Sequence, residues 1–361
     1  MEIESTSYRV FIGNEQLLEI DAMLEQYQDQ YTKIFLLTDD MVMQHCMPVF
    51  LECVPFLKNA EIIELSHGEQ HKNIDICKQV WETLSEAGAD RNSLLVNLGG
   101  GVVTDMGGFI ASTYQRGIRF INIPTSLLAQ VDASIGGKVA VDLGKMKNQI
   151  GLFSDPLMVV VAPIFLDTLD DRQYKSGLAE MIKHALIADA THWKELFHAL
   201  TGQKELAMEQ LLQYSIQIKN KVVLADQKEG GIRKILNFGH TVGHAIEGLF
   251  LEENGTTVLH GEAVAAGMIC EAWLSEKYNG LDSSKRIAIQ EFLMSLYPKL
   301  AINKTMIDDL LSLMFFDKKN RNGDLHFSLI SDIGKASYDI VMDKEKVAAS
   351  LRYYIGLEEN V

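Results

Sequence analysis

Proline, cysteine and tryptophan are scarce in this sequence, with 6, 4 and 3 residues among 361. With few prolines and 47% hydrophobic against 23% charged residues, the chain carries enough apolar material for real cores, which excludes a disordered protein. Cys46, Cys53, Cys77 and Cys270 have no paired CxxC spacing and lie in no small secreted scaffold, so they are expected to be reduced thiols. Long apolar runs are missing too, and none would span a bilayer. The opening MEIESTSYRV lacks the basic start and apolar core of a signal peptide, so a cytoplasmic protein is expected. Basic charge is in deficit: 33 Lys+Arg against 49 Asp+Glu give a formal net charge of -16. Nonspecific binding to nucleic acid or an anionic membrane would work against that field, and neither partner is expected. An anionic small molecule remains compatible, because screening over about 8 Å lets a few local cations dominate a pocket.

Short β-rich runs recur in the first part of the chain, at residues 8–13, 33–38, 61–65, 93–98, 118–123 and 157–162. Amphipathic segments such as IDICKQVWETLSEAG lie between them, and the alternation predicts an α/β, Rossmann-like domain with a mostly parallel sheet over residues 1–165. Beyond it the strand signal fades. Helices are predicted at 174–190, 204–226, 234–251, 260–277, 283–295 and 344–353, making 166–361 a mainly α-helical second domain, with a short hairpin in KKNRNGDLHFSLI. A cleft between two such domains is the default place for chemistry.

The segment NLGGGVVTDMGG, residues 97–108, follows a predicted strand and opens a predicted helix, where backbone N–H groups and the helix dipole can hold a pyrophosphate. It does not fit GxGxxG, and three glycines at a strand end also serve as a plain tight turn. At the end of the second strand, Asp39 in TDD is placed either to accept hydrogen bonds from a ribose diol or to cap a helix. Metal chemistry is suggested by LNFGHTVGHAIEG, whose His240 and His244 share a helix face. His260 in LHGEAVAAGM and Glu180 in SGLAEMIKHALI compete for the same site, and each taken alone reads as a satisfied structural residue.

Read together, GEQHK, GGGVVTDMGGFIASTYQRGI, PTSLLAQVDASIGGK, GLAEMIKHALI, RKILNFGHTVGHAIEG and HGEAVAAGM resemble the 3-dehydroquinate synthase family in order and approximate spacing, from about residue 30 to 340. The resemblance implies a lyase of the shikimate pathway. Such an enzyme converts 3-deoxy-D-arabino-heptulosonate 7-phosphate to 3-dehydroquinate and phosphate by transient oxidation, β-elimination, reduction, ring opening and aldol closure. It implies NAD as cofactor and one divalent metal, zinc or cobalt in its place. Metal ligands would be Glu180, His240 and His260. His244 would contact the substrate phosphate or relay a proton, and Glu247 would support the helix pair or orient a histidine.

The same resemblance assigns NAD contacts to Asp39, Glu69, Lys72, Gly100, Gly101, Val102, Asp105, Thr125, Ser126, Lys138, Lys147 and the stretch from Phe165 to Thr168. Lys219 and Arg233 would meet the substrate carboxylate, and Lys138, Asn148, Asn237 and His244 its phosphate. Asp132 and Lys183 would contact hydroxyls and stabilise charge, while Arg116 would reach in from the second subunit of a homodimer. Relatives often carry Gly where this chain has Met146, so Lys145 competes with Lys147 for one role, and His326 stands where a basic residue is usual. An NAD- and metal-dependent polyol or glycerol-phosphate dehydrogenase, another sugar-phosphate cyclase and a noncatalytic sugar-phosphate sensor are the competing readings. The carboxylate pair Lys219 and Arg233, with Glu at position 180, favours the synthase.

Overall fold

The computed structural model describes residues 1–144, 146–204, 207–252, 258–316 and 325–357. The chain separates into two compact units, Met1–Asp170 with Met208–Asn220, and Asp171–Ala207 with Lys221–Val361.

In the first unit the strands are β1 (Glu2–Glu4), β2 (Arg9–Ile12), β3 (Ile34–Asp39), β4 (Glu61–Leu65), β5 (Leu94–Gly99), β6 (Arg119–Pro124), β7 (Lys138–Leu143), β8 (Met146–Phe153) and β9 (Met158–Val161). Seven of them form one sheet in the order β1-β2-β9-β6-β5-β3-β4, parallel throughout except where β1 pairs antiparallel with β2. The six strands expected from the sequence are all in it. A parallel sheet is covered on both faces, which is why LLVNLG of β5 is apolar almost without interruption and buried at every position. The two-residue period sorts its side chains. Phe35, Leu37 and Leu95 join Val103, Met106 and Ile110 of the helix Gly101–Thr113 in one core. Leu36, Leu94, Val96 and Leu98 join Leu17, Ile20 and Phe50 in the other. Truncating one of these leucines to alanine would cost roughly 2–5 kcal/mol.

From β3 the chain adds β4 on one side and then returns to add β5 on the other. The carboxyl ends of β3 and β5 therefore flank the point where strand order reverses, the preferred ligand crevice of such sheets. Asp39 ends β3 and Gly99 ends β5, so the two segments singled out for a dinucleotide are neighbours across this point. The hairpin β7–β8 was not legible as strands in the sequence.

The second unit is built from the helices Asp171–Ala188, Ala190–Leu200, His240–Glu252, His260–Tyr278, Ser283–Leu296, Ile307–Phe316 and Lys344–Ile355, with a hairpin of β10 (Leu325–Asp332) and β11 (Lys335–Met342). Helix Met208–Ala225 is divided, residues 208–220 clustering with the first unit. Helix His260–Tyr278 has no amphipathic stripe because it is the central one, buried almost all round by helices Asp171–Ala188, His240–Glu252, Ser283–Leu296 and Lys344–Ile355 and by β10.

Two expectations shift here. The single helix expected over 234–251 is a 3-10 turn, Ile232–Asn237, followed by a helix that starts at His240, because Gly239 takes φ +81° and breaks the run. The hairpin expected within 318–330 turns later, at Ile333 and Gly334, with Asp332 opposite Lys335. Residues 317–324 of that segment lie outside the described residues, as do Lys145 and residues 253–257. No helix among the described residues is long and apolar enough to cross a membrane.

Candidate active site

In the second unit, three helices deliver the expected metal ligands. Glu180 sits in the middle of helix Asp171–Ala188, while His240 and His260 are each the first residue of their helices. Small residues bring these elements together. A Cβ on Gly267 would lie 2.0 Å from the Gly239 carbonyl oxygen, and one on Gly261 would lie 2.3 Å from that of Ser176. Glycine is required at both, so the GH and HG of the motifs are packing devices as well as ligand carriers.

His240 Nε2 stands 3.4 Å and His260 Nε2 3.3 Å from the same atom, Glu180 Oε1. In both rings the other nitrogen is occupied. His240 Nδ1 lies 3.2 Å from the Phe238 carbonyl and His260 Nδ1 lies 3.4 Å from Glu247 Oε2. A carbonyl or a carboxylate can only accept, so each Nδ1 carries a proton and each Nε2 is turned toward Glu180. The remaining carboxylate oxygen, Glu180 Oε2, accepts from Lys183 Nζ.

Electrostatics follow from this burial. Glu180 is fully buried, and burial pushes its carboxyl up, but Lys183 and the two imidazoles outweigh it and hold the group well below the usual carboxylate range. Burial lowers His240, assisted by the Lys183 charge. His260 is also disfavoured as a cation by burial, yet Glu247 and Glu180 raise it to about 10.

His244 differs from His240 in each respect. It is exposed, and it groups with Glu247 and His260 in a second set of ligand-type atoms rather than with Glu180. Its ring centroid is 5.1 Å from that of His240. Nearby in sequence, Arg233 is buried with Nη1 donating to the Gln227 carbonyl at 2.6 Å, and Asn237 Nδ2 donates to Glu229 Oε1 at 2.9 Å. His326 Nδ1 is 3.8 Å from Asp339 Oδ1.

In the first unit, four of the residues expected around a dinucleotide form two charged pairs, and Asn148, expected at the substrate phosphate, joins one of them. Lys72 Nζ donates to Asp105 Oδ2 at 2.7 Å and to Asn148 Oδ1 at 2.6 Å, and Lys147 Nζ lies 3.3 Å from Glu69 Oε1. Burial alone would lower the Lys72 ammonium, but Asp105 more than offsets this and holds it above its ordinary value. Burial raises the Asp105 carboxyl in turn, with Lys72 opposing. At 2.7 Å, with the ammonium held above its ordinary value, we read the pair as ionised.

Gly100 caps the helix Gly101–Thr113, placing Gly101 and Val102 in its first turn. Thr125 N donates to the Gly99 carbonyl at 2.9 Å, and Ser126 Oγ accepts from Ala129 N at 3.3 Å. Asp39 is a helix cap, its Oδ1 accepting from Val42 N at 2.9 Å. The Phe165 side chain belongs to the core, whereas Thr168 is exposed.

Lys219 Nζ meets Asp132 Oδ1 at 2.6 Å and the Asp132 carbonyl at 2.5 Å, so these two expected substrate contacts already touch each other. Lys138 opens β7 and is exposed. Arg116 is exposed on a turn in which Gln115, Arg116 and Gly117 all have positive φ, of 50°, 72° and 113°.

Several contributors were not singled out in the sequence. Glu271, fully buried on the central helix, accepts from Gly239 N at 2.6 Å and Val242 N at 3.2 Å, satisfying the start of the His240 helix. Glu262 accepts from Leu259 N at 2.9 Å and from Arg172, steadying the start of the His260 helix. Asp226 and Glu229 shape the loop before Arg233. The DQKEGG spacing of that loop is a turn signature that could have been read.

Comparison with known proteins assigns the chain to a family. A profile described as 3-dehydroquinate synthase N-terminal matches residues 62–176, and one described as 3-dehydroquinate synthase C-terminal matches 177–320. A 3-dehydroquinate synthase from Parabacteroides distasonis is 42% identical over 327 residues, covering 90% of this chain and 92% of that protein. Among solved structures, 2-deoxy-scyllo-inosose synthase complexed with carbaglucose-6-phosphate, NAD+ and Co2+ shares the fold, with a TM-score of 0.84 at 23% identity over 98% of this chain and 100% of that one. The 2-epi-5-epi-valiolone synthase from Streptomyces hygroscopicus, with NAD+ and Zn2+ bound, has a TM-score of 0.82 at 25% identity over 98% of each chain. Two profiles meeting at residue 177 and a relative alignable over nine-tenths of the length place the chain in the 3-dehydroquinate synthase family.

Proposed function

We propose that this chain converts 3-deoxy-D-arabino-heptulosonate 7-phosphate to 3-dehydroquinate and phosphate, using NAD and one divalent metal, zinc or cobalt. The observation that carries the metal is the pair of Nε2 to Oε1 separations of 3.3 and 3.4 Å. Donors bound tetrahedrally at 2.0–2.1 Å stand about 3.3 Å apart, so each imidazole nitrogen already stands from Glu180 Oε1 as two donors of one small cation would. Glu180, His240 and His260 would hold it, with Glu247 and the Phe238 carbonyl fixing the ring tautomers. Lys183 on the second carboxylate oxygen restrains Glu180 to one donor oxygen.

Bound in the protein, the cation supplies Lewis acidity at a substrate hydroxyl and the nicotinamide supplies a reversible hydride acceptor. The chain's own groups bind and orient. Arg233 and Lys219 would take the substrate carboxylate, and Lys138, Asn148, Asn237 and His244 its phosphate. Asp132 and Lys183 would meet hydroxyls. Charge-assisted hydrogen bonds of about 1.5–3 kcal/mol each offset the desolvation of such an anion. The first unit would take the dinucleotide through Asp39, Glu69, Lys72, Gly100 to Val102, Asp105, Thr125, Ser126, Lys138, Lys147 and the Phe165 to Thr168 turn. The second would take the metal. Arg116, exposed on its strained turn, fits a contact made across a homodimer, and the reading carries a cytoplasmic location. Carboxylate recognition by a buried arginine favours this substrate over those of the polyol dehydrogenases.

The test is phosphate release from the heptulosonate phosphate with NAD far below substrate, before and after chelation. Many turnovers per NAD, lost on chelation and restored by zinc, are expected. One NADH accumulating per product would establish a dehydrogenase instead.

A further inference from the structure

Resting on the assignment of Arg233 to the substrate carboxylate, we propose that Asp226 is a positioning residue for substrate, presetting the loop that presents Arg233. Asp226 ends the helix Met208–Ala225, its own N–H donating to the Val222 and Val223 carbonyls. Its side chain then turns to the loop ahead. Oδ1 accepts from Gly230 N at 3.0 Å, and Oδ2 accepts from Gly231 N at 2.7 Å and Arg233 N at 3.1 Å. One carboxylate thus gathers three backbone donors from the turn that leads into Arg233.

The next residue completes the grip. The Gln227 carbonyl accepts from Arg233 Nη1 at 2.6 Å, so consecutive residues hold the two ends of the arginine, one its backbone N–H and the other its guanidinium. Between them Glu229 is held at φ +58°, a left-handed conformation unfavourable for a side-chain-bearing residue, and its carboxylate receives Asn237 Nδ2. The far side of the loop is fastened as well. Ser328 Oγ on β10 donates to the Lys234 carbonyl at 2.6 Å, and Lys234 Nζ pairs with Asp339 on β11 at 2.6 Å. Arg233 is 2% exposed, so a guanidinium this confined has little freedom to find an anion by itself. Its placement is inherited from the loop. Without the carboxylate that accepts from these three N–H groups the loop would relax, and arginine entropy would be lost only on substrate binding.

Asp226→Asn keeps the size but replaces one of the two accepting oxygens with an NH2 donor, and Asp226→Ala removes both. The expected result is a KM for the heptulosonate phosphate raised about tenfold by Asp226→Asn and more by Asp226→Ala, in line with the loss of charge-assisted hydrogen bonds. Bound zinc and the KM for NAD should stay within about twofold of the parent. Paired with Arg233→Ala, the Asp226→Ala change should add nothing to the KM defect, because both remove the same presentation of charge. Additive defects, or equal losses in substrate, NAD and zinc, would make Asp226 a general structural residue and overturn the proposal. Should Asp226→Ala not fold, Asp226→Asn with Arg233→Ala carries the same cycle. Were Arg233→Ala alone to leave the substrate KM unchanged, the assignment of Arg233 would fall and this proposal with it, whereas additivity would overturn the Asp226 role alone.

Discussion

The two units solve the same problem, holding charged groups ready, in different ways. In the first, Lys72 with Asp105, Lys147 with Glu69 and Lys219 with Asp132 are paired with one another, side chain to side chain. Their geometry is set by mutual attraction, and a ligand that enters must exchange one partner for another. In the second, the two candidate histidine ligands are set by backbone, at the starts of two helices pressed together at glycine, with each imidazole fixed by its far nitrogen. Side-chain pairing gives an adjustable site; backbone apposition gives a rigid one.

The sharpest way to break this contrast is at the metal ligands. His240→Ala or Glu180→Gln should abolish bound zinc in elemental analysis, while the exposed His244→Ala should retain it, and the reverse pattern would reassign the two histidines. Next in size, Gly267→Val forces a side chain onto the Gly239 backbone. It should lower stability by roughly 3 kcal/mol or more, seen in denaturant unfolding, and take the metal with it.

Lys72→Met tests the adjustable site. It leaves Asp105 without its cation, at a cost of roughly 3 kcal/mol, the low end for a broken buried pair because the Asp105 side chain keeps 16% exposure. NAD affinity should fall in titration, with zinc content unchanged. Lys219→Met is smaller still. It should raise the KM for the heptulosonate phosphate about tenfold and spare that for NAD, whereas equal losses would mean that the pairing with Asp132 is structural. Smallest of all, Gly101→Ala, whose added Cβ meets only the Ala133 Cβ at 3.4 Å, should shift stability by no more than about 1 kcal/mol, in contrast to Gly267.

The fold was legible where periodicity was strong. Buried parallel strands such as LLVNLG announce themselves by nearly continuous apolar composition, and all six expected strands are present. The β7–β8 hairpin was hidden because β8, MKNQIGLF, alternates between half-buried and exposed positions and so carries no apolar signal. Helix Ala190–Leu200 follows its predecessor across the single capping residue Asp189, so its start was absorbed into the expected 174–190 segment. Helix Ile307–Phe316 reads as IDDLLSLMFF, too short and too evenly apolar for a helical period to show.

At the site, Glu180, His240 and His260 were named through resemblance to a family, and their convergence depends on helix crossings that no local pattern encodes. Spacing alone offered His240 and His244. What separates them is burial against Glu180, a tertiary fact. Asp226 and Glu271 escaped notice because each acts on backbone N–H groups, and a lone acid near a helix end reads as an ordinary polar residue.

The near-contact of Gly267 with Gly239 has one more consequence. Because the segments bearing His240 and His260 touch main chain to main chain, no intermediate looseness is available to them: they can be joined or parted, and little between. On heating, cation release should therefore not precede melting as a gradual leak but coincide with it, so that a chelator dye and a fold-sensitive signal trace one shared transition.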